Sequence, residues 1–129
     1  MTGKARRIPE RVGDMCEAIS HAIADMGALT REEFAVDGKS QRAVIESLIV
    51  LGEAANAIMR MDSDIAHTAP DFWQALRDAY DMRIILTHEY FRVDASVVWD
   101  TVMNDLPPLD ARLCAWSDGG TENPWSVPE

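Results

Sequence analysis

Several features that would indicate a function directly are missing from this 129-residue sequence. It has no stretch close to the roughly 20 uncharged apolar residues that a membrane-spanning helix needs. Its basic start is not followed by the apolar segment of a secretory signal. A glycine-rich loop that could cradle a nucleotide phosphate is also missing. We therefore expect no membrane association and no secretion.

Cysteine and positive charge are both scarce. The two cysteines, Cys16 and Cys114, belong to a chain long enough to fold without disulfides, so we expect reduced thiols and a cytoplasmic protein. Lys and Arg number 12 against 22 Asp and Glu, which gives a net charge of -10. Because an acidic protein repels phosphate backbones, any nucleic-acid chemistry must be confined to a small site or depend on a basic partner.

Metal-binding patterns are incomplete. Glu17 and His21 stand four residues apart on one predicted helix and could share an ion, but no second Glu/His pair repeats the pattern. We therefore expect no metal site and no cofactor.

Helical periodicity is frequent, and strand signals are weak. Apolar residues make up 47% of the chain, enough to bury a core. We predict an all-α fold, an up-down bundle of four to five helices. Residues 1–8 are expected to form an N-terminal arm, residues 9–116 the helical domain, and residues 117–129 a flexible tail whose Trp125 has no assigned role. The first predicted helix covers residues 9–26, with Ile23 on its apolar face. A short helix is predicted after a capping box at Thr30 and Glu33. Two long helices follow over residues 40–61 and 71–88. Asp94 is the predicted N-cap of a further helix, which Pro107-Pro108 interrupts, and a last segment covers residues 109–116.

The second long helix, residues 40–61, is apolar over a wide arc made of two neighbouring stripes. The first stripe is Val44, Leu48, Leu51, Ala55 and Ile58, and the second is Ile45, Ile49, Gly52, Asn56 and Met59. Such a helix has more surface to bury than one neighbour can cover, so it lies either in the centre of the bundle or at a dimer interface. Gly52 and Ala55 are small enough to let another backbone come close.

Arg83 is the unusual residue of the third long helix. At about 100° per residue it falls in the middle of the apolar stripe formed by Phe72, Leu76 and Ala79. A charge there costs several kcal/mol unless it is paired or solvated. Glu53 on the preceding long helix is a candidate partner.

His88 lies about 140° around the helix from Arg83. The two side chains converge only if the helix ends or bulges between them, or if two chains meet across a two-fold axis. From spacing alone, an ordinary helix-capping histidine is the commoner outcome. Tyr80 and Asp81, about one turn before Arg83, are supporting candidates, although an exposed acid usually has no special role.

The segment Arg83-x-x-x-x-His88-x-Tyr90 resembles the motif of the HEPN superfamily and, within it, the HepT-like toxins. Further segments are similar to that family over residues 8–115: Gly52-Glu53-Ala54-Ala55, Phe72-Trp73, Phe91-Arg92-Val93-Asp94, Val98-Trp99 and Asp105-Leu106-Pro107. The bare Arg-to-His spacing is weakly specific, but the ordered set is more so.

The resemblance implies a HEPN-like helical homodimer that cleaves RNA without a metal, with Arg83 and His88 as catalytic residues in a cleft between the chains. It also implies a toxin–antitoxin pair of type VII. The partner is a minimal nucleotidyltransferase antitoxin, which adds AMP to Tyr90 and can join the toxin in a larger hetero-oligomer.

One departure opens an alternative. The residue after the arginine is often polar in the superfamily, commonly Asn, whereas here it is Ile84, which cannot form side-chain hydrogen bonds. A weak or inactive HEPN module that binds a nucleotidyltransferase is therefore the second hypothesis, favoured also by the acidic net charge. A helical adaptor that uses the wide face of the second long helix is the third.

Overall fold

The chain folds as a set of α-helices. The computed structural model describes the backbone of residues 3–88 and 94–117, and the side chains of residues 8–83 and 94–114. The helices are α1 (Gly3–Met26), α2 (Arg31–Ala35), α3 (Gly38–Met61), α4 (Ile65–Thr68), α5 (Pro70–His88), α6 (Ala95–Asp100) and α7 (Leu106–Ser117). Within these described ranges there is no strand, which confirms the predicted all-α class. No described helix is long and apolar enough to span a bilayer.

Local sequence signals set most of the helix ends. Gly27, with φ of 54°, follows the last residue of α1, because glycine adopts this left-handed conformation readily. Thr30 and Glu33 form the predicted capping box at the start of α2. Asp37 caps α3 and Asp94 caps α6, the latter as predicted, each carboxylate accepting a hydrogen bond from a backbone N–H in the first turn.

Two predictions about proline were wrong. The first helix begins at Gly3 rather than at Pro9, so Pro9 lies inside α1, and at least part of the expected N-terminal arm is helical. Pro107-Pro108 does not interrupt the chain's last helical run. A π-helical segment at Thr101–Asp105 runs directly into α7, whose second and third residues are the two prolines, so the hydrogen-bond register changes just before the two missing N–H groups.

Smaller differences concern lengths and loops. The loop predicted between residues 61 and 70 contains the short helix α4, and α5 begins one residue earlier than predicted. Ile23, predicted to face the core, is 43% exposed. The expected flexible tail, including Trp125, lies outside the described residues from position 118 onward.

Helix α3 is the centre of the fold and packs against both α1 and α5. Its first predicted stripe is almost fully buried: Val44, Leu48, Leu51, Ala55 and Ile58. Facing residues from α1 and α5, together with apolar side chains from the shorter helices and α7, complete the core, and none of the described buried side chains is polar or charged. This arrangement explains the wide apolar arc of α3 without a second chain, so the arc itself is not evidence for a dimer.

Helix α6 is tied to α2 by polar contacts. The guanidinium of Arg31 lies 2.7 Å from a carboxylate oxygen of Asp100 and 4.8 Å from the ring centroid of Trp99. Trp99 in turn donates its Nε1–H to the carbonyl of Leu29, with a 3.0 Å nitrogen–oxygen distance. These contacts fix the segment that follows the Arg83–Tyr90 motif onto the rest of the fold.

Candidate functional site

The close approach of α5 to α3 places Arg83. A Cβ atom built on Gly52 would lie 2.0 Å from Cβ of Arg83 and 3.0 Å from the carbonyl oxygen of Ala79. Only glycine leaves room for that contact, since real Cβ atoms essentially never approach other atoms within 3.0 Å. The small residue expected to admit a neighbouring backbone therefore seats the arginine of the motif.

Arg83 is paired with Glu53, the candidate partner on the preceding long helix. The carboxylate oxygen Oε1 of Glu53 accepts hydrogen bonds from Nε of Arg83 at 2.9 Å, and Nη2 lies 2.6 Å from the same oxygen. The side chain of Arg83 is 26% exposed and that of Glu53 is 52% exposed. The guanidinium thus emerges from an apolar helix face to the surface, where its carboxylate partner holds it and a phosphate could still reach it.

Tyr80 contacts Arg83, whereas Asp81 pairs with Arg77, another residue of α5. The ring centroid of Tyr80 lies 5.8 Å from the guanidinium carbon of Arg83 and 5.6 Å from that of Arg77, both within the range of a weak cation–π contact. Asp81 forms an ion pair with Arg77 at 3.2 Å, one turn back on the same helix. The carboxylate of Asp81 therefore organises Arg77, and any support it gives Arg83 runs through Arg77 and Tyr80.

His88 is the last residue of α5, and its backbone is helical. Its side chain and that of Ile84 lie outside the described side chains, and Tyr90 lies outside the described residues altogether. The described backbone of α5 carries no bulge between Arg83 and His88, whereas a π-helical segment does occur at Thr101–Asp105. On a regular helix the two motif residues point about 140° apart.

An acidic groove between α1 and α3 was not anticipated. It encloses about 620 Å³, and Glu53 lies on its wall. Acids dominate its charged lining: Asp14, Glu17, Asp25, Glu46 and Glu53, against Arg11 and His21. The spacing of the acids on α1 would have shown one acidic face, but their position opposite α3 depends on how the helices pack. A phosphate backbone is repelled from this side of Glu53.

Comparisons with known proteins agree with the motif. A family model described as "Ribonuclease HepT-like" matches residues 15–115. A protein of Thermococcus cleftensis named "Probable ribonuclease HepT" is 38% identical over 105 residues, which are 78% of this chain and 90% of that protein. A protein of Methanocaldococcus jannaschii, provisionally named an RNase, is 33% identical over 95 residues, 73% of this chain and 74% of its own length.

A more distant relative also carries a ribonuclease name. A protein of Caldanaerobacter subterraneus, also provisionally named an RNase, is 27% identical over 104 residues, 81% of this chain and 86% of that protein. No solved structure matches the chain. Because the family model spans most of the helical domain, including the seat of Arg83 on α3, this chain belongs to the HepT-like ribonuclease family.

Proposed function

We propose that this protein is a metal-independent endoribonuclease toxin that acts as a homodimer, with Arg83 and His88 as its catalytic residues. The observation that carries the proposal is the placement of Arg83. It opens the Arg83-x-x-x-x-His88 motif, is seated by Gly52, and is held at the surface by Glu53. Membership of a ribonuclease family supports the same reaction.

The chemistry of these residue types fits RNA cleavage by the substrate's own 2′-hydroxyl. One histidine accepts the 2′-hydroxyl proton while O2′ forms a bond to phosphorus. The bond from phosphorus to the 5′-oxygen breaks, and a second histidine donates the proton that the leaving oxygen needs. The products are a 2′,3′-cyclic phosphate and a free 5′-hydroxyl. Arg83, which is always charged, stabilises the phosphorane-like transition state by forked hydrogen bonds to phosphate oxygens.

A two-fold axis between two chains would supply the second histidine that the acid–base scheme needs. At about 100° per residue, positions 83 and 88 fall about 140° apart around α5, so a regular helix would not by itself bring both side chains to one phosphate within a single chain. Two copies of α5 facing each other across an isologous interface would bring one Arg83 and one His88 together on each side of a shared cleft. Such a cleft holds two histidines, as the acid–base scheme requires.

The charge distribution limits how RNA is held. With a net charge of -10 and an acidic groove beside Glu53, the protein offers RNA only a small basic patch. Binding is then weak and local, and a phosphate must compete with Glu53 for the guanidinium of Arg83. Tyr80 contributes by keeping an aromatic face against the guanidinium, and Glu53 by fixing its orientation.

Control of the toxin is proposed to run through Tyr90. A cognate minimal nucleotidyltransferase would act as antitoxin and transfer AMP from ATP to the tyrosine hydroxyl, as in a type VII toxin–antitoxin pair. The tyrosine oxygen would lose its proton and bond to the α-phosphorus as the bond to the β-phosphate breaks and pyrophosphate leaves. The added phosphate would bring negative charge to a site built around one guanidinium per chain and so repel RNA. Toxin and antitoxin could assemble in a larger hetero-oligomer.

The direct test measures RNA cleavage by the purified protein in the presence of a metal chelator. Intact-mass measurement first establishes that the protein carries no AMP. We expect wild type to cut RNA and both Arg83→Ala and His88→Ala to lose activity by at least about 100-fold. Arg60→Ala and His67→Ala are the matched controls, because each removes the same residue type from an exposed position outside the motif and should retain activity. Cleavage that survives both motif substitutions, or unmodified wild type that cuts no RNA, would refute the assignment.

A second function is favoured by Ile84 and by the acidic surface. In that case the chain is a HEPN module that binds the nucleotidyltransferase without cutting RNA. Expression in cells separates the two: His88→Ala as toxic as wild type supports the binding module, whereas loss of toxicity supports the nuclease.

A further inference from the structure

Two helices at opposite ends of the chain bring three potential metal ligands together. Cys16 on α1 and Asp110 and Cys114 on α7 place two thiol sulfurs and a carboxylate oxygen within 4.8 Å of one another. Cys16 and Asp110 are half-buried, and Cys114 is exposed. This cluster lies between α1 and α7, whereas Arg83 and Glu53 connect α5 and α3.

The fold holds this cluster in place. Asp110 and Cys114 stand four residues apart on α7, which places them on the same helix face. Cys16 follows Met15, and Leu113 precedes Cys114; both of these apolar side chains are fully buried in the core. Packing of the core therefore fixes the two helices that carry the ligands, and the ligands need only side-chain rotation to close around an ion.

We propose that Cys16, Asp110 and Cys114 bind one zinc ion, with water as the fourth ligand. Zinc takes thiolate and carboxylate ligands in a tetrahedron, and a Zn–S bond of about 2.3 Å sets neighbouring sulfurs about 3.8 Å apart. The observed limit of 4.8 Å lies within about 1 Å of that value. Two soft sulfurs also select zinc over magnesium or calcium, which prefer oxygen ligands.

The bound ion would link α1 to α7. Because the metal binds only the folded arrangement of α1 and α7, it stabilises the fold in proportion to its affinity. The exposed position of Cys114 gives the ion a route from solvent. The site does not include the Arg83–Glu53 pair, so the zinc proposal can be tested independently of the proposed nuclease activity.

The test is zinc titration of the full chain kept reduced by a phosphine that does not chelate metals. We expect one zinc per chain, and a thiolate-to-metal charge-transfer band when cobalt replaces zinc. Cys16→Ser and Cys114→Ser should weaken binding by at least about 100-fold, and Asp110→Asn by about tenfold. Asp105→Asn, an exposed acid on the same helical run, is the matched control and should bind as wild type does.

Stability provides a second readout. Zinc at about a hundredfold excess over its Kd should raise the Tm of wild type and of Asp105→Asn by roughly 5–10 °C and leave Cys114→Ser unchanged. Helical circular dichroism before zinc addition shows whether each variant is folded. Zinc uptake that persists in both serine variants, or a reduced wild type that binds none and only forms a Cys16–Cys114 disulfide on oxidation, would overturn the proposal.

Discussion

Replacing Gly52 with alanine is expected to destabilise the protein by about 2 kcal/mol. The new Cβ would lie 2.0 Å from Cβ of Arg83, so α3 and α5 must separate by about 1.4 Å to reach ordinary contact. Neither atom sits at the end of a flexible chain, so the cost falls at the upper end of the roughly 1–3 kcal/mol typical of overpacking. The gain in helix propensity from glycine to alanine offsets about 1 kcal/mol of it.

Urea unfolding followed by circular dichroism measures this effect. Gly13→Ala is the matched control: Gly13 lies in α1, and a methyl group added there would have no atom within 4 Å, so alanine should stabilise by about 0.5–1 kcal/mol. Arg83→Ala should not rescue Gly52→Ala, because alanine keeps the Cβ that clashes, whereas Arg83→Gly should. A Gly52→Ala protein as stable as Gly13→Ala would refute the close packing of α5 on α3.

Three further substitutions test contacts elsewhere in the fold. Thr30→Ala removes the capping box of α2 and should lower the free energy of unfolding in urea by about 1 kcal/mol. An unchanged free energy of unfolding would contradict the cap. Glu53→Gln should cost less than about 1 kcal/mol, because the ion pair with Arg83 is partly exposed, and the loss should shrink in high salt. Hydrogen bonds from Ser40 lower the pKa of Asp37 below its usual 3.8, so its charge stabilises the fold above that value and ceases to do so as pH falls through the lowered pKa. Asp37→Asn should therefore lose stability at neutral pH and match wild type in acid; an equal deficit at both pH values would contradict this.

The helices were predictable because their signals are local. The capping box at Thr30, the cap at Asp94 and the end of α1 before Gly27 each depend on neighbours within a few residues. The cap at Asp37 was not predicted, and α3 begins at Gly38, two residues before its predicted start. The effect of the prolines was predicted wrongly because it does not follow from residue preferences alone. Whether Pro107 breaks a helix depends on the hydrogen-bond register set by the π-helical segment before it, and residue preferences alone do not show that register.

The site was predictable in part. The apolar stripe of α5 indicated that Arg83 needs a partner, and the candidate on the preceding long helix, Glu53, is the residue that pairs with it. The acidic groove and the Cys16–Asp110–Cys114 cluster were not predicted. Both join residues from separate helices, and their distances are set by packing rather than by spacing along the chain.

Sharing of one cleft by two chains is tested most directly by mixing wild type with His88→Ala and measuring RNA cleavage after the subunits have exchanged. If each cleft needs one histidine as base and another as acid, only wild-type pairs are active, and activity follows the square of the wild-type fraction. An equal mixture should then keep about one quarter of the wild-type activity. Retention of about one half, with a linear dependence on the fraction, would contradict the shared cleft.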